Sequence, residues 1–469
     1  MDDPTLAALN QGQAPNARIE RVDRHDDGKV HVERFRLGNG LDVIVWEDRG
    51  APVLAYHTWF KVGSRHDPAG KTGIAHLFEH LMFKATKTHP EGEYDKVMEA
   101  RGGQTNAATW VDWTQYRAKL PRWELGLVTA WEADRMENLA LDKDMLERER
   151  EVVKNERLMR VDNDPDGLLS ERLFKTVFER HPYGAPTIGW MADIEAIDLD
   201  DCMHFYRKHY APNNAAVVVV GDVRTDEVLR AVQAAYGHLP AEAREPEPVV
   251  IEAPQTAERR LEQALPLAAS RLVMAYRSMA AGSAEHAALD VAVELLVGGD
   301  SARLHRALVE DLELATDVSG WVSGWAQPGV LELSMTLRPG ADLAHAEAAL
   351  DAKIDEFLEG PIADGELEKA KNGLEASFLR GQADVGSRAR ALGHGWATLD
   401  DWQDLWAGQA RLQAVTAEDV LRAARAVLRR EQRTVAIAKP SGEPAVAGEA
   451  DGDDAGGGDA GDETAEAGE

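Results

Sequence analysis

The run Thr72-Gly-Ile-Ala-His-Leu-Phe-Glu-His-Leu-Met-Phe83 constrains this chain more than any other part of it. Ile74, Leu77, Phe78, Leu81 and Met82 recur at i, i+3, i+4, i+7 and i+8, the spacing of a buried stripe on a helix. His76, Glu79 and His80 then share the other face. Histidines four apart can each present a ring nitrogen to one Zn²⁺ at ~2.0–2.1 Å, and a glutamate beside them can act as base towards the attacking water. Such a site needs a third protein ligand, so the fold must bring a second element against this helix.

A carboxylate on a second element is available. Asp142 to Met159 reads as a long polar helix of good formers with acids in its first turn, and Glu149 and Glu156, seven apart, share a face. Taken alone, an acid-rich helix of this kind is more often a solvated, salt-bridged surface.

The order His-x-x-Glu-His marks the inverzincin peptidases, and the chain resembles the pitrilysin, insulin-degrading enzyme and mitochondrial processing peptidase family in a bacterial processing-peptidase-like branch. The family motif continues to a glutamate 76 residues beyond the second histidine, here Glu156, and has a further acid seven residues earlier, here Glu149. Gly102-Gly-Gln-Thr-Asn-Ala-Ala-Thr-Trp-Val-Asp-Trp-Thr-Gln-Tyr116 resembles the family's Gly-Gly, Asn-Ala, Thr and Thr-x-Tyr stretch in order and spacing. The resemblance implies a zinc metalloendopeptidase with one Zn²⁺ per chain, held by His76, His80 and Glu156. Glu79 would take a proton from water and return it to the leaving amine, while Glu149 supports the ligand set. Asn106 and Ala107 would hold the backbone of a peptide substrate. From the residues themselves, the alternation of Thr105, Ala107, Thr109 and Val111 behind a Gly pair predicts an edge strand near the metal helix. A peptide can add to such an edge as a further strand; a merely structural hairpin is the alternative.

At 469 residues the chain exceeds one ordinary core, and an internal repeat divides it. Asp42–Trp46 and Leu54–Phe60 precede the metal helix as Ser270–Arg277 precedes the helical run His286–Leu296. Asp200–Tyr206 followed by Ala215–Gly221 resembles Thr416–Leu421 followed by Arg433–Ala438. We therefore expect an α+β protein of two homologous units: a metal-binding domain over 31–240, a Pro-rich linker over 241–250, and a second domain over 251–440. The second has lost the metal, carrying Ala287, Asp290 and Val291 where the motif would sit. The resemblance implies that each unit is a mainly antiparallel sheet of about six strands packed by helices, the two forming half of a clam-shell chamber.

One departure from the family bears on activity. Members with a complete site carry an Arg and a Tyr, seven residues apart, in the second half, to bind substrate and stabilise the oxyanion. Here Val309 and Thr316 stand at those positions; Arg303 and Arg306 are nearby but on a helix point to different faces from residue 309, and replacement of the Arg by either is left open. Loss of one oxyanion donor costs about 10²–10³ in rate. The expectation is a zinc-bearing subunit, weak alone, completed by a related chain that supplies the Arg and Tyr; a homodimer would not restore them. A non-catalytic core or assembly subunit of the same fold is the alternative.

The ends and the charge complete the reading. Residues 1–30 are polar and expected to be disordered or extended, with no signal peptide remaining; 441–469 is expected to be a disordered acidic tail. That tail holds ten of the acids, so of the formal −30 about −20 stays on the body, a surface that does not favour nucleic acid. No apolar run is long enough for a membrane span. The single cysteine, Cys202, permits no intrachain disulfide and reads as a small buried hydrophobe. The branch and the polar start favour a periplasmic protein over a cytoplasmic one.

Overall fold

The computed structural model describes residues 1–243 and 250–442. The linker expected at 241–250 falls largely, and the acidic tail at 441–469 almost entirely, outside the described residues.

The first sheet contains β1 (Ile19–Asp26), β2 (His31–Leu37), β3 (Asp42–Glu47), β4 (Val53–Phe60), β5 (Gln104–Thr109), β6 (Thr114–Pro121) and β7 (Ala215–Gly221). Their order is β1-β2-β3-β7-β4-β6-β5, antiparallel except where β3 lies beside β7. The central strand β7 reads Ala-Ala-Val-Val-Val-Val-Gly and is buried throughout, as a strand covered on both faces must be. Tyr56 and Phe60 of β4, with Val217 and Val219 of β7, join a core shared with the helices Ile74–Leu81 and Leu199–His209. Cys202 is buried there. The alternate residues, Trp59 among them, lie under a helix from far down the chain, Val385–Leu399. Its Trp396 Nε1 donates to Asp42 Oδ2 at 2.8 Å, and its Arg388 pairs with Asp48.

The second sheet contains β8 (Arg259–Leu265), β9 (Arg271–Arg277), β10 (Ala315–Val322), β11 (Val330–Leu337) and β12 (Arg433–Pro440), in the order β10-β11-β9-β12-β8. Strand for strand this repeats β5-β6-β4-β7-β3, including the single parallel pair, β8 with β12. The expected six strands per sheet are seven and five, because β1 and β2 have no counterpart in the second. The flanking helices repeat as well: Ala284–Val297 follows β9 as Ile74–Leu81 follows β4, and Ala417–Val427 precedes β12 as Leu199–His209 precedes β7.

The units do not follow the chain in two simple halves. One comprises Met1–Arg157, Ala185–Val250 and Gly381–Leu405; the other takes Leu158–Gly184, Ile251–Arg380 and the chain from Trp406. Helix Pro165–Val177 packs on β8, β9 and β12, just as Val385–Leu399 packs on β4 and β7. Each sheet is thus covered by a helix from the other half of the sequence. A boundary placed by composition alone does not contain this exchange, since which sheet an amphipathic helix covers is not written in its own residues.

Within the first thirty residues β1 is extended as expected, but the start is not. Asp3–Asn10 is helical, with Asp2 accepting from Thr5 N at 2.9 Å and Pro4 in the first turn. Asn10 then clamps the start of β1, donating to the Ile19 carbonyl at 2.8 Å and accepting from its N–H at 2.7 Å. Among the described residues no helix is long and apolar enough to cross a membrane.

A Cβ built on Gly393 would meet Trp59 Nε1 at 2.0 Å, so helix and sheet touch there with no room to spare. Gly393→Val is expected to lower the free energy of unfolding by about 1–3 kcal/mol through overpacking, measured as a reduced urea midpoint against wild type.

Candidate metal centre

Helix Ile74–Leu81 starts on Gly73, whose φ of +88° suits glycine. The Asp67 carboxylate caps it, accepting from Gly73 N at 2.7 Å and Ala75 N at 3.1 Å. Ile74, Ala75, Leu77, Phe78 and Leu81 are buried, which leaves His76, Glu79 and His80 half-buried on the other side. The second helix, Lys143–Arg157, packs against it. That helix is polar almost throughout and buries only Leu146, Glu149, Val153 and Arg157. Two of those four are ionisable, so this face is built for more than apolar packing.

The structure brings His76, His80 and Glu156 together, with one donor atom from each lying within 4.8 Å of the others. Glu156 Oε2 is 3.6 Å from His76 Nε2 and 3.5 Å from His80 Nε2. Donors ~2.0–2.1 Å from a tetrahedral zinc stand about 3.3 Å apart, so the spacing and the chemistry of this set fit that ion. It is the one such group of His, Cys, Asp and Glu among the described residues.

Glu149 stands behind these three side chains. Its Oε1 is 2.9 Å from His80 Nδ1, placed to accept a hydrogen from that nitrogen and to leave Nε2 as the nitrogen that faces Glu156. Its Oε2 pairs with Lys84 Nζ at 2.6 Å, and Lys84 reaches Glu91 at 3.4 Å. Burial alone would raise the Glu149 carboxyl, but the hydrogen bonds from His80 and Lys84 hold it below its usual value. Burial would lower His80; the bonds to Glu149 and Glu156, with the charge of Glu79, outweigh it and push the imidazole up to about 9. Lys84 was not among the residues singled out from the sequence. Its position, four after His80, was the available signal.

Asn106 and Ala107 lie on β5, the edge strand of the first sheet, beside helix Ile74–Leu81. Asn106 is exposed and its Oδ1 accepts from Ala107 N at 2.8 Å, while the Ala107 side chain is buried. In the second unit, Val309 sits in the irregular turn Arg306–Asp311. Thr316 lies at an irregularity of the edge strand β10, and its hydroxyl donates to the Thr336 carbonyl at 3.3 Å. Arg303 is engaged with Glu366 through Nε and Nη2 at 2.6 and 2.8 Å. Arg306 is largely exposed, 4.0 Å from Asp311.

Comparison with known proteins gives a consistent picture. Residues 43–190 match the family model described as insulinase (peptidase family M16), and residues 196–374 match the peptidase M16 inactive domain. The zinc protease PqqE of Helicobacter pylori is 31% identical, over 87% of this chain and 93% of its own length. An uncharacterized zinc protease of Streptomyces coelicolor is 26% identical over 88% of this chain and 91% of its own. Among solved structures, a protease from Helicobacter pylori superposes with a TM-score of 0.83 at 30% identity, covering 87% of this chain and 99% of that one. Pitrilysin, at 20% identity and a TM-score of 0.74, shares the fold over 90% of this chain and 46% of its own.

Because Glu149 holds the His80 ring through one oxygen and Lys84 through the other, Glu149→Gln is expected to weaken zinc binding about 10–100-fold. Competition with a chromophoric chelator measures it, with circular dichroism as the check that the fold is kept.

Proposed function

We propose that this chain, which belongs to the insulinase family of peptidases (peptidase family M16), is a zinc endopeptidase acting as the catalytic subunit of a two-chain enzyme. The observation that carries the reading is the convergence of His76, His80 and Glu156 on one another's donor atoms, with Glu79 on the same helical face. Zinc bound by these three would supply Lewis-acid activation of water and of the scissile carbonyl.

The chain's own residues do the rest. Glu79 takes the proton from the attacking water and delivers it to the leaving amine, one carboxylate serving as base and then as acid. Glu149 fixes which nitrogen of His80 carries hydrogen, so that the other keeps its lone pair for the metal. The free side of β5 offers backbone N–H and C=O groups to an extended peptide, which binds as an added strand irrespective of its side chains. Asn106 and Ala107 lie on that strand, positioned to hold the peptide's main chain. The Asn106 carboxamide, folded onto its own backbone, would swing outward as the peptide arrives.

The partner follows from what the second unit lacks. Val309 and Thr316 offer no guanidinium and no phenol; of the two nearby arginines, Arg303 already forms a two-point pair with Glu366, and Arg306 is largely exposed beside Asp311. A related chain bearing the missing Arg and Tyr would stabilise the oxyanion instead.

Two experiments test this. Glu79→Gln should retain one zinc per chain and lose cleavage of an unfolded peptide by about 10²–10⁴-fold; retained turnover would remove Glu79 from the role of base. Mixing the wild-type chain with a related chain that carries the Arg and Tyr should raise its rate by about 10²–10³. Full activity of the purified chain alone would end the two-chain reading.

A further inference from the structure

The zinc ligands come from two helices widely separated in sequence, and their separation must be held to a fraction of an ångström. The start of one helix and the end of the other meet the same short segment, Ile188–Asp193. Gly73 and Gly189 have φ values of +88° and +89°. A Cβ on Gly73 would meet the Ile188 carbonyl oxygen at 2.4 Å, and one on Gly189 the Thr72 carbonyl oxygen at 2.3 Å. The two backbones touch through paired glycines, and neither position accepts a side chain by conformation or by space.

Hydrogen bonds fasten that contact. Thr72 donates to Asp193 Oδ2 through Oγ1 at 2.7 Å and through its N–H at 3.2 Å, while Trp190 N donates to Thr72 Oγ1 at 3.0 Å. From the other side comes Arg157, the last residue of helix Lys143–Arg157 and the neighbour of Glu156. Its Nη1 donates to the Gly189 carbonyl at 2.8 Å, and the residue is only 5% exposed, so the bond is shielded from competing water. Consecutive helical residues project about 100° apart. Glu156 can therefore face the histidines while Arg157 grips the segment on a different side.

We infer that Ile188–Asp193 is a clasp joining the start of the histidine helix to the end of the glutamate helix, with Arg157 as the positioning residue that sets Glu156 against His76 and His80. This rests on the zinc reading above and adds to it residues that never touch the metal. Sliding the two helices apart lengthens the Glu156 distances, and the buried guanidinium bond opposes that slide at the point nearest the ligand.

The test is the zinc dissociation constant of the full chain and of Arg157→Met, Arg157→Lys and Thr72→Val, by chelator competition, with the melting temperature of each metal-free protein recorded. Arg157→Met should weaken zinc about 10–100-fold, Arg157→Lys should recover part of that by donating to the same carbonyl, and Thr72→Val should weaken zinc several-fold. A merely structural arginine would lower the metal-free melting temperature and leave the zinc constant of the folded protein unchanged. Wild-type affinity in folded Arg157→Met overturns the clasp; if that variant does not fold, wild-type affinity in Thr72→Val overturns it. A wild-type chain that takes up no zinc overturns the zinc reading and this inference with it, whereas equal affinities in all four proteins overturn the clasp alone.

Discussion

Burial of both faces of the central strands is the constraint on which this architecture depends. A strand of the composition of β7 has no polar side to give to water, and leaving Val218, Val220 or Trp59 exposed would forgo about 1.5–3 kcal/mol for each fully buried side chain. The core beneath the histidine helix uses one face. The other needs a helix, and the chain supplies it from residues 385–399, held by the Trp396 bond to Asp42 and the Arg388 pair with Asp48. With both faces covered, the sheet is a rigid floor. The histidine helix packs on that floor by its apolar stripe, which turns the face bearing His76, Glu79 and His80 away from it.

The electrostatics of the site follow from crowding acids around two imidazoles. Glu79, Glu149 and Glu156 all bear on His80, and one ammonium, Lys84, answers them directly through Glu149. Left to themselves these carboxylates draw a proton onto His80, which is why its imidazole sits so far above its ordinary value. A divalent cation would satisfy the same deficit more fully, in competition with that proton for the Nε2 lone pair. Lys84 and Glu149 shape that competition without entering it.

What could be read from the sequence, and what could not, divides along local and non-local lines. The helical face bearing His76, Glu79 and His80 was legible because 3.6-residue periodicity is a local property. So was the edge strand around Asn106, announced by its glycine pair and alternation. The repeat was legible too, down to the helix before each of β7 and β12. Glu156 was reachable only through the resemblance, since nothing in an acid-rich helix distinguishes one glutamate from its neighbours. The helix at Asp3–Asn10 was missed although its Asp-x-Pro start is a local signal. The covering roles of Pro165–Val177 and Val385–Leu399 had no local signal at all, and neither did the meeting of Gly73 with Gly189.

The exchanged helices also set a timetable. During synthesis β7 leaves the ribosome roughly 180 residues before helix Val385–Leu399 is complete, a delay on the order of 10–35 s at ~5–20 residues per second. For that interval one side of the first sheet, Trp59, Val218 and Val220 included, has no cover. The nascent chain thus carries an uncovered apolar surface on the face of the sheet opposite the histidine helix until the late helix arrives.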